Sequence, residues 1–319
     1  MRFESLPLRE ANLAELAKVS YDARHDTVLS YKARTISEAA KRLNDIVSKG
    51  KECVVIEARD ESKGTVGGFL ELFMIIRGIA QTDWWQPVVS VTSREGKIAR
   101  CLIEQAKSYA RESGRDRIEA AFDMTTPNQR SLLRKYWRWY SSEGFQKASE
   151  EFRMRSLITE TALHHRELPS GYSLVSAASV DKEEIRDCYL KSFSESMDRL
   201  ILSMNAQQRR STFDTCLDPS DVMDQEASLC IQRDRQVVAF VLVGTERAES
   251  LIELLGVDPE FRRLGLGGTI LAESMYALLH KGTREVDIEV DVKNTPALRL
   301  YRKMGFAPLY RQAYYYTNL

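Results

Sequence analysis

Residues 251–279, LIELLGVDPEFRRLGLGGTILAESMYALL, constrain this chain more than any other stretch. The apolar run over residues 251–257 predicts a buried strand. Asp258-Pro259 ends it, because proline has no amide to give to a ladder. A glycine turn follows, Arg262-Arg263-Leu264-Gly265-Leu266-Gly267-Gly268. Leu266, Ile270, Leu271, Met275, Leu278 and Leu279 then recur at helical spacing. Glycine lets backbone approach a ligand, and a helix start leaves amides unpaired and partly positive. Strand, glycine turn and helix together predict a cradle for phosphate or pyrophosphate. A P-loop is excluded, since no Gly-Lys-Ser/Thr follows. So is the dinucleotide fingerprint, whose third glycine position holds Ile270.

A second block lies downstream: Ile288-Glu289-Val290, Asn294, Ala297, Leu300-Tyr301 and Gly305-Phe306. Asn294 is placed to cap a helix with Pro296 in its first turn, and Gly305 to end it in a left-handed conformation. Together the blocks resemble the GNAT acyltransferase superfamily. Arg262-x-x-Gly265-x-Gly267 matches its acetyl-CoA motif, Arg/Gln-x-x-Gly-x-Gly/Ala, and the second block matches its Asn…Leu-Tyr signature. The resemblance is specific over residues 251–309.

It implies an α/β fold with a mixed, α+β type of sheet. It also implies acetyl-CoA as co-substrate, no metal, and direct acetyl transfer to a primary amine in a ternary complex. CoA contacts are implied for Leu255, Gly256 and Val257, whose strand would pair with the pantetheine arm. They are implied also for Arg262, Arg263, Leu264, Gly265, Leu266, Gly267 and Gly268 in the turn, and for Asn294, although capping alone accounts for Asn294. An amide of the same strand would polarise the thioester carbonyl. Tyr301 would be the general acid for the departing thiolate, since a phenol of pKa ~10 is protonated at neutral pH; its other reading is a core tyrosine. Glu253 is the candidate base, a carboxylate on an apolar strand whose pKa burial would raise. Strict alternation puts it on one face with Leu251 and Leu255. Its other reading is a solvated glutamate, and Glu289 and Asp291 are alternatives.

The order of elements repeats, which predicts two tandem GNAT-like domains, a degenerate one over residues 1–160 and a catalytic one over residues 161–319. In the first, strands are expected at 2–8, 52–59, 66–76, 88–91, 117–122 and 152–157, with helices at 12–26, 37–48, 97–113 and 130–141. In the second, strands are expected at 172–176, 229–233, 237–245 and 285–290, with a closing pair at 306–309 and 313–317. Helices there are expected at 182–193, 206–215 and 296–304. A polar linker over 158–168 holds His164 and His165. Aligned helices set Arg94-Glu95-Gly96-Lys97 against the glycine turn, with Lys97 on the first glycine position. Its Cβ would crowd a pyrophosphate, or its ammonium would meet one as a point charge. Tyr140-x-x-x-Gly144-Phe145 matches Tyr301-x-x-x-Gly305-Phe306. Asn128, however, stands twelve residues before Tyr140, and Asn294 seven before Tyr301. The first half therefore reads as a decayed copy that buttresses the active half.

Lysine plus arginine and aspartate plus glutamate are both 46, which removes any global electrostatic case for nucleic acid or an anionic membrane. Tyr136, Trp137, Trp139 and Tyr140 stand among basic residues at helical spacing, which favours packing over base stacking. No apolar run is long enough for a bilayer. Five scattered cysteines without a Cys-x-x-Cys pair, and no signal-peptide core, predict a cytoplasmic protein with reduced thiols. The expected partner is a small-molecule or peptide amine, and the expected state a monomer or homodimer. Tandem members of the superfamily include mycothiol synthases, which makes a thiol-biosynthetic amine one candidate. The acceptor loop is expected over residues 194–205. Asp198 within it reads as a solvated loop acid, with an ammonium ligand as the second reading. The rival functions are a non-catalytic acyl-CoA-binding scaffold and a protein lysine or N-terminal acetyltransferase.

Overall fold

The computed structural model describes residues 1–24, 35–90, 94–125, 129–159, 167–217, 223–246 and 249–319. Asp26, Asn128, His164 and His165 lie outside them. The first half runs β1 (Arg2–Pro7), α1 (Leu13–Arg24), α2 (Ile36–Ser48), β2 (Cys53–Asp60), β3 (Thr65–Phe73), β4 (Ile79–Thr82), β5 (Val88–Val89), α3 (Glu95–Glu112), β6 (Arg117–Met124), α4 (Gln129–Ser142) and β7 (Gln146–Leu157). The second half runs β8 (Tyr172–Ser176), α5 (Lys182–Ser194), α6 (Arg199–Leu202), α7 (Ala206–Cys216), β9 (Leu229–Arg233), β10 (Gln236–Glu246), β11 (Glu249–Val257), α8 (Leu266–His280), β12 (Glu285–Asp291), α9 (Thr295–Lys303) and β13 (Ala307–Asn318).

Two compact units result. One is Met1–Ala148 with Gln312–Leu319, the other Ser149–Arg311. Each holds an antiparallel meander that turns into one parallel pair. In the first unit β1, β2, β3 and β4 are successive antiparallel neighbours, β5 flanks β3, and β4 runs parallel to β6 across α3. In the second, β8, β9, β10 and β11 follow the same order, and β11 runs parallel to β12 across α8. A strand–helix–strand crossover of this kind needs a helix to cover the sheet face. α3 and α8 do so with the buried stripes Ile98, Leu102, Ala106 and Ile270, Leu271, Met275. The fold is thus a mixed α/β arrangement built twice.

Two expectations are corrected. The strand expected over 66–76 ends at Phe73, and Arg77-Gly78, with Gly78 at φ 82°, turns the chain into β4. The expected closing pair of strands is the single strand β13. Residues 309–312, Leu-Tyr-Arg-Gln, contain none of the usual turn formers, so the chain runs straight. The units consequently exchange segments. β7 pairs with β12 from Glu285↔Leu157 to Asp291↔Glu151 inside the second unit. The end of β13 belongs to the first, where Ala313 and Tyr315 are core residues. Tyr315 stacks on Trp137 at 4.6 Å and meets Phe122 edge-on at 5.6 Å.

All four tryptophans, Trp84, Trp85, Trp137 and Trp139, lie in the first unit, so tryptophan fluorescence reports on that unit alone. Tyr315→Ala should destabilise it by about 3 kcal/mol through lost aromatic burial. Urea unfolding followed at tryptophan checks this; an unchanged midpoint would place the end of β13 outside the core.

Candidate active site

β11 keeps its antiparallel ladder with β10 to the end, Ala239↔Val257, but its parallel ladder with β12 stops at Ile252↔Ile288. The register against β10 steps from Val243↔Ile252 to Leu242↔Leu254, so Glu253 is the extra residue of a β-bulge. A bulge bends its strand and raises the local twist. Here it parts β11 from β12 and leaves residues 253–257 with no ladder on the β12 side. The bulge also overturns the expected shared face of Leu251, Glu253 and Leu255. Ile252, Leu255 and Val257 pack on the cluster around α8, and Leu254 on the cluster around α5 and α7. Glu253 is half-buried. Burial and then its charge push the Cys216 thiol on α7 up.

The glycine turn is rigid for local reasons. Asp258 caps a short 3-10 turn by accepting from Glu260 N at 3.1 Å, and its own amide returns to Val238 O at 2.9 Å. The Arg262 guanidinium donates to Val257 O at 3.3 Å and Ser192 O at 2.8 Å, which ties the turn to α5. Arg263 at φ 67° and Gly265 at φ 84° are both left-handed, and α8 starts directly after. The amides of Gly268 and Thr269 return to Gly265 O at 3.0 and 3.1 Å. Among the described residues, the amides of residues 264–267 have no backbone acceptor, as a helix start requires.

The glycines differ in purpose. A Cβ on Gly256 would sit 2.4 Å from Phe240, so close packing demands that glycine. A Cβ on Gly267 would find ordinary contacts, Val257 at 3.4 Å and Leu300 at 3.5 Å. Those contacts put the start of α8 against the residue before Tyr301.

Asn294 caps α9 by accepting from Ala297 N at 3.3 Å, and Gly305 ends the helix at φ 86°. Tyr301 is buried, with its ring 6.0 Å from Phe306. Burial and then the charge of Asp198 raise its pKa, so the phenol stays protonated. Among the described residues its hydroxyl makes no hydrogen bond. The two alternative bases are held in ion pairs: Glu289 with Arg153 at 2.8 Å, Asp291 with Arg199 at 2.7 Å.

Asp198 is not the solvated loop acid expected. It caps α6 by accepting from Ile201 N at 3.1 Å, and burial raises its carboxyl to about 6. Asp198-Arg199-Leu200-Ile201 is a readable cap signal, but α6 is too short for periodicity to reveal it.

In the first unit the corresponding gap is filled by the chain itself. The β4–β6 ladder stops at Gln81↔Glu119, and Trp85 N then donates to Ala121 O at 3.3 Å. Trp85, fully buried, gives its indole N–H to Asp123 at 2.5 Å. Gln86 donates to Glu71 at 2.6 Å and accepts, through its carbonyl, from the Tyr140 hydroxyl at 3.0 Å. α3 begins without a left-handed glycine, behind Arg94 at φ −105°, and a Cβ on Gly96 would stand 3.2 Å from the Trp139 indole nitrogen. Tyr136, Trp139 and Tyr140 are core residues.

A parallel strand pair opened by a bulge, leading into a helix whose first amides are free, is the architecture of the acetyl-CoA-dependent N-acetyltransferases that the sequence resembles. Residues 182–306 match the acetyltransferase (GNAT) family. In fold, the chain is similar to a GCN5-related N-acetyltransferase from Sphaerobacter thermophilus (TM-score 0.63, 16% identity, 99% of this chain and 95% of that one). It is also similar to a tandem GNAT protein from the clavulanic acid biosynthesis pathway (TM-score 0.59, 17% identity, 99% and 98%). The family match covers residues 182–306, and over the whole chain the likeness to tandem GNAT structures is one of fold. In sequence it resembles mycothiol acetyltransferase of Clavibacter sepedonicus, 29% identical over 167 residues, 51% of this chain and 52% of the relative. A shorter stretch resembles N-alpha-acetyltransferase 30 of Homo sapiens, 36% identical over 67 residues, 21% of this chain and 18% of the relative. The chain spans about half the length of the mycothiol acetyltransferase that it matches.

Calorimetric titration with acetyl-CoA should give one site per chain, in the second unit. Gly265→Val should abolish it, since a β-branched residue at φ 84° carries strain and sets a side chain on the free amides. Two sites would mean that residues 83–87 leave room in the first unit.

Proposed function

We propose that the chain transfers an acetyl group from acetyl-CoA to a primary amine of a small molecule or peptide, through residues 161–319. One observation carries this reading. The open β12-facing edge of residues 253–257 and the free amides of residues 264–267 belong to one strand–turn–helix unit, whose helix start touches Leu300 beside Tyr301. Leu255 and Val257 would offer backbone groups to the amides of a pantetheine arm, with Gly256 keeping the strand close to Phe240. The turn from Arg263 to Gly268 would receive the pyrophosphate, with Arg262 bracing it and Asn294 holding α9.

Tyr301 donates to the leaving sulfur. It is protonated across the neutral range, and its hydroxyl is uncommitted. Met1–Ala148 of the first unit take no part in the chemistry, because their own chain occupies the corresponding gap. The relatives point to two acceptor classes, a thiol-biosynthetic amine and a peptide N-terminus. No described helix is long and apolar enough to cross a membrane, and the cytoplasm is the proposed location.

Tyr301→Phe should lower kcat by about 10²–10⁴-fold while acetyl-CoA affinity stays near that of the wild type. Thiol release against a panel of amines, with calorimetry beside it, measures both; unchanged turnover would remove the acid role.

A further inference from the structure

We propose that Asp198 takes the proton from the acceptor's ammonium, and that the acceptor enters as a cationic primary amine. This rests on the transferase reading above and assigns the base differently from the sequence, which pointed to Glu253.

Position is the first ground. Arg199 grips Asp291 at the end of β12 with its Nε at 2.7 Å and Nη2 at 3.0 Å, and its own amide donates to the same carboxylate at 3.2 Å. That clamp anchors the start of α6 at the mouth of β12. The Asp198 carboxylate caps α6, accepting from the backbone amides of Ile201, at 3.1 Å, and Leu200. The charge of Asp198 is felt by Tyr301 on α9, Tyr189 on α5 and Glu151 on β7, so these groups converge on it. Glu253 instead makes itself felt at Cys216 on α7.

The second ground is a hydroxyl without a partner. Tyr189 is fully buried, and its OH has no hydrogen bond among the described residues. An unpaired buried polar group costs about 1–3 kcal/mol. An ammonium brings three donors, enough for the Tyr189 oxygen and the Asp198 carboxylate together.

The third ground is the balance of charge. The groups facing Asp198 are Tyr189, Arg199, Glu151, Asp291 and Tyr301, with Arg209 beside Tyr189. Of the two cations, Arg199 is engaged with Asp291, and Arg209 donates to the carbonyls of Ile201 at 3.0 Å and Met204 at 3.1 Å. Glu151 is raised well above its ordinary value by burial and then by the charge of Asp198, and Ser149 donates to it at 2.7 Å. Asp198, raised by burial to about 6, is then the carboxylate that ionises close to neutrality, where a base works best.

The protons balance. The ammonium gives one proton to Asp198, and the freed amine attacks the thioester carbonyl carbon. The C–N bond forms and the C–S bond breaks. The nitrogen's second proton replaces the one that Tyr301 gives to the sulfur, so the products are the amide, CoA thiol and a proton released from Asp198. The two residues are coupled by charge. While Asp198 is ionised it holds the Tyr301 proton in place; once protonated, it no longer opposes loss of that proton.

The test compares wild type, Asp198→Asn and Glu253→Gln from pH 5 to 9, with spermidine, alanine amide and S-methylcysteine amide as acceptors and acetyl-CoA affinity measured alongside. Asparagine also caps helices, so the fold is expected to survive. Aspartate-labelled protein gives a carboxyl carbon titration that needs no turnover. The expected results are a wild-type kcat/KM that rises with pH through about 6, and an Asp198→Asn enzyme slower by about 10²–10³-fold without that rise and with acetyl-CoA affinity unchanged. One aspartate carboxyl should titrate near 6 and vanish in the variant. The proposal is overturned if Asp198→Asn stays within about threefold of wild type, if only Glu253→Gln removes the rise, or if no such carboxyl is found. A wild type that binds no acetyl-CoA brings down the transferase reading, and this inference with it.

Discussion

The bulge at Glu253 is the constraint on which the open strand edge of the second unit depends. One extra residue in β11 steps the register against β10 and parts the strand from β12 after Ile252↔Ile288. A strand interior normally pairs on both edges, and an unpaired buried edge is costly. β11 can leave one edge open only because its other edge stays laddered to Val257 and Asp258 is tied to Val238. The same break in alternation sends Leu255 and Val257 to the α8 side and Leu254 to the α5–α7 side, so both hydrophobic clusters hold the bent strand in place.

The first unit meets the same geometric problem and resolves it differently. Its parallel pair also ends early, yet residues 83–87 fill the gap with backbone, with the Trp85 indole and with the Gln86 amide. Tyr140, which matches Tyr301 in spacing, is committed to the Gln86 carbonyl. A hydroxyl so engaged, deep in an aromatic core with Phe122 and Phe145, is a structural group. The filled gap goes with a helix α3 that starts without a left-handed glycine, behind Arg94 at φ −105°.

Charge in the second unit is organised around β12. Asp287, Glu289 and Asp291 each meet an arginine, from Arg153 and Arg155 on β7 and from Arg199 on α6. Pairs of this kind tie neighbouring elements together more than they stabilise the fold. They draw β7 and the α5–α6 connection against β12. Asp198 and Glu151 are left as the acids of the site without an ion pair among the described residues. Burial raises both, and the charge of Asp198 raises Glu151 further.

Local chemistry was legible in the sequence. The strand ended by Asp258-Pro259, the glycine turn before α8, the Asn294 cap and the left-handed Gly305 at the helix end all follow from neighbouring residues, and each stands where the sequence placed it. So do the repeated order of elements and the core role of Tyr136, Trp139 and Tyr140, which periodicity carries. Only the tertiary structure decided where β11 bulges, that residues 83–87 fill the first unit's gap, that β13 runs straight on instead of turning, and that Asp198 is half-buried at a helix cap instead of solvated. Each of these depends on which distant backbone a segment bonds to and which side chains close over it. That information is absent from any one window of the chain.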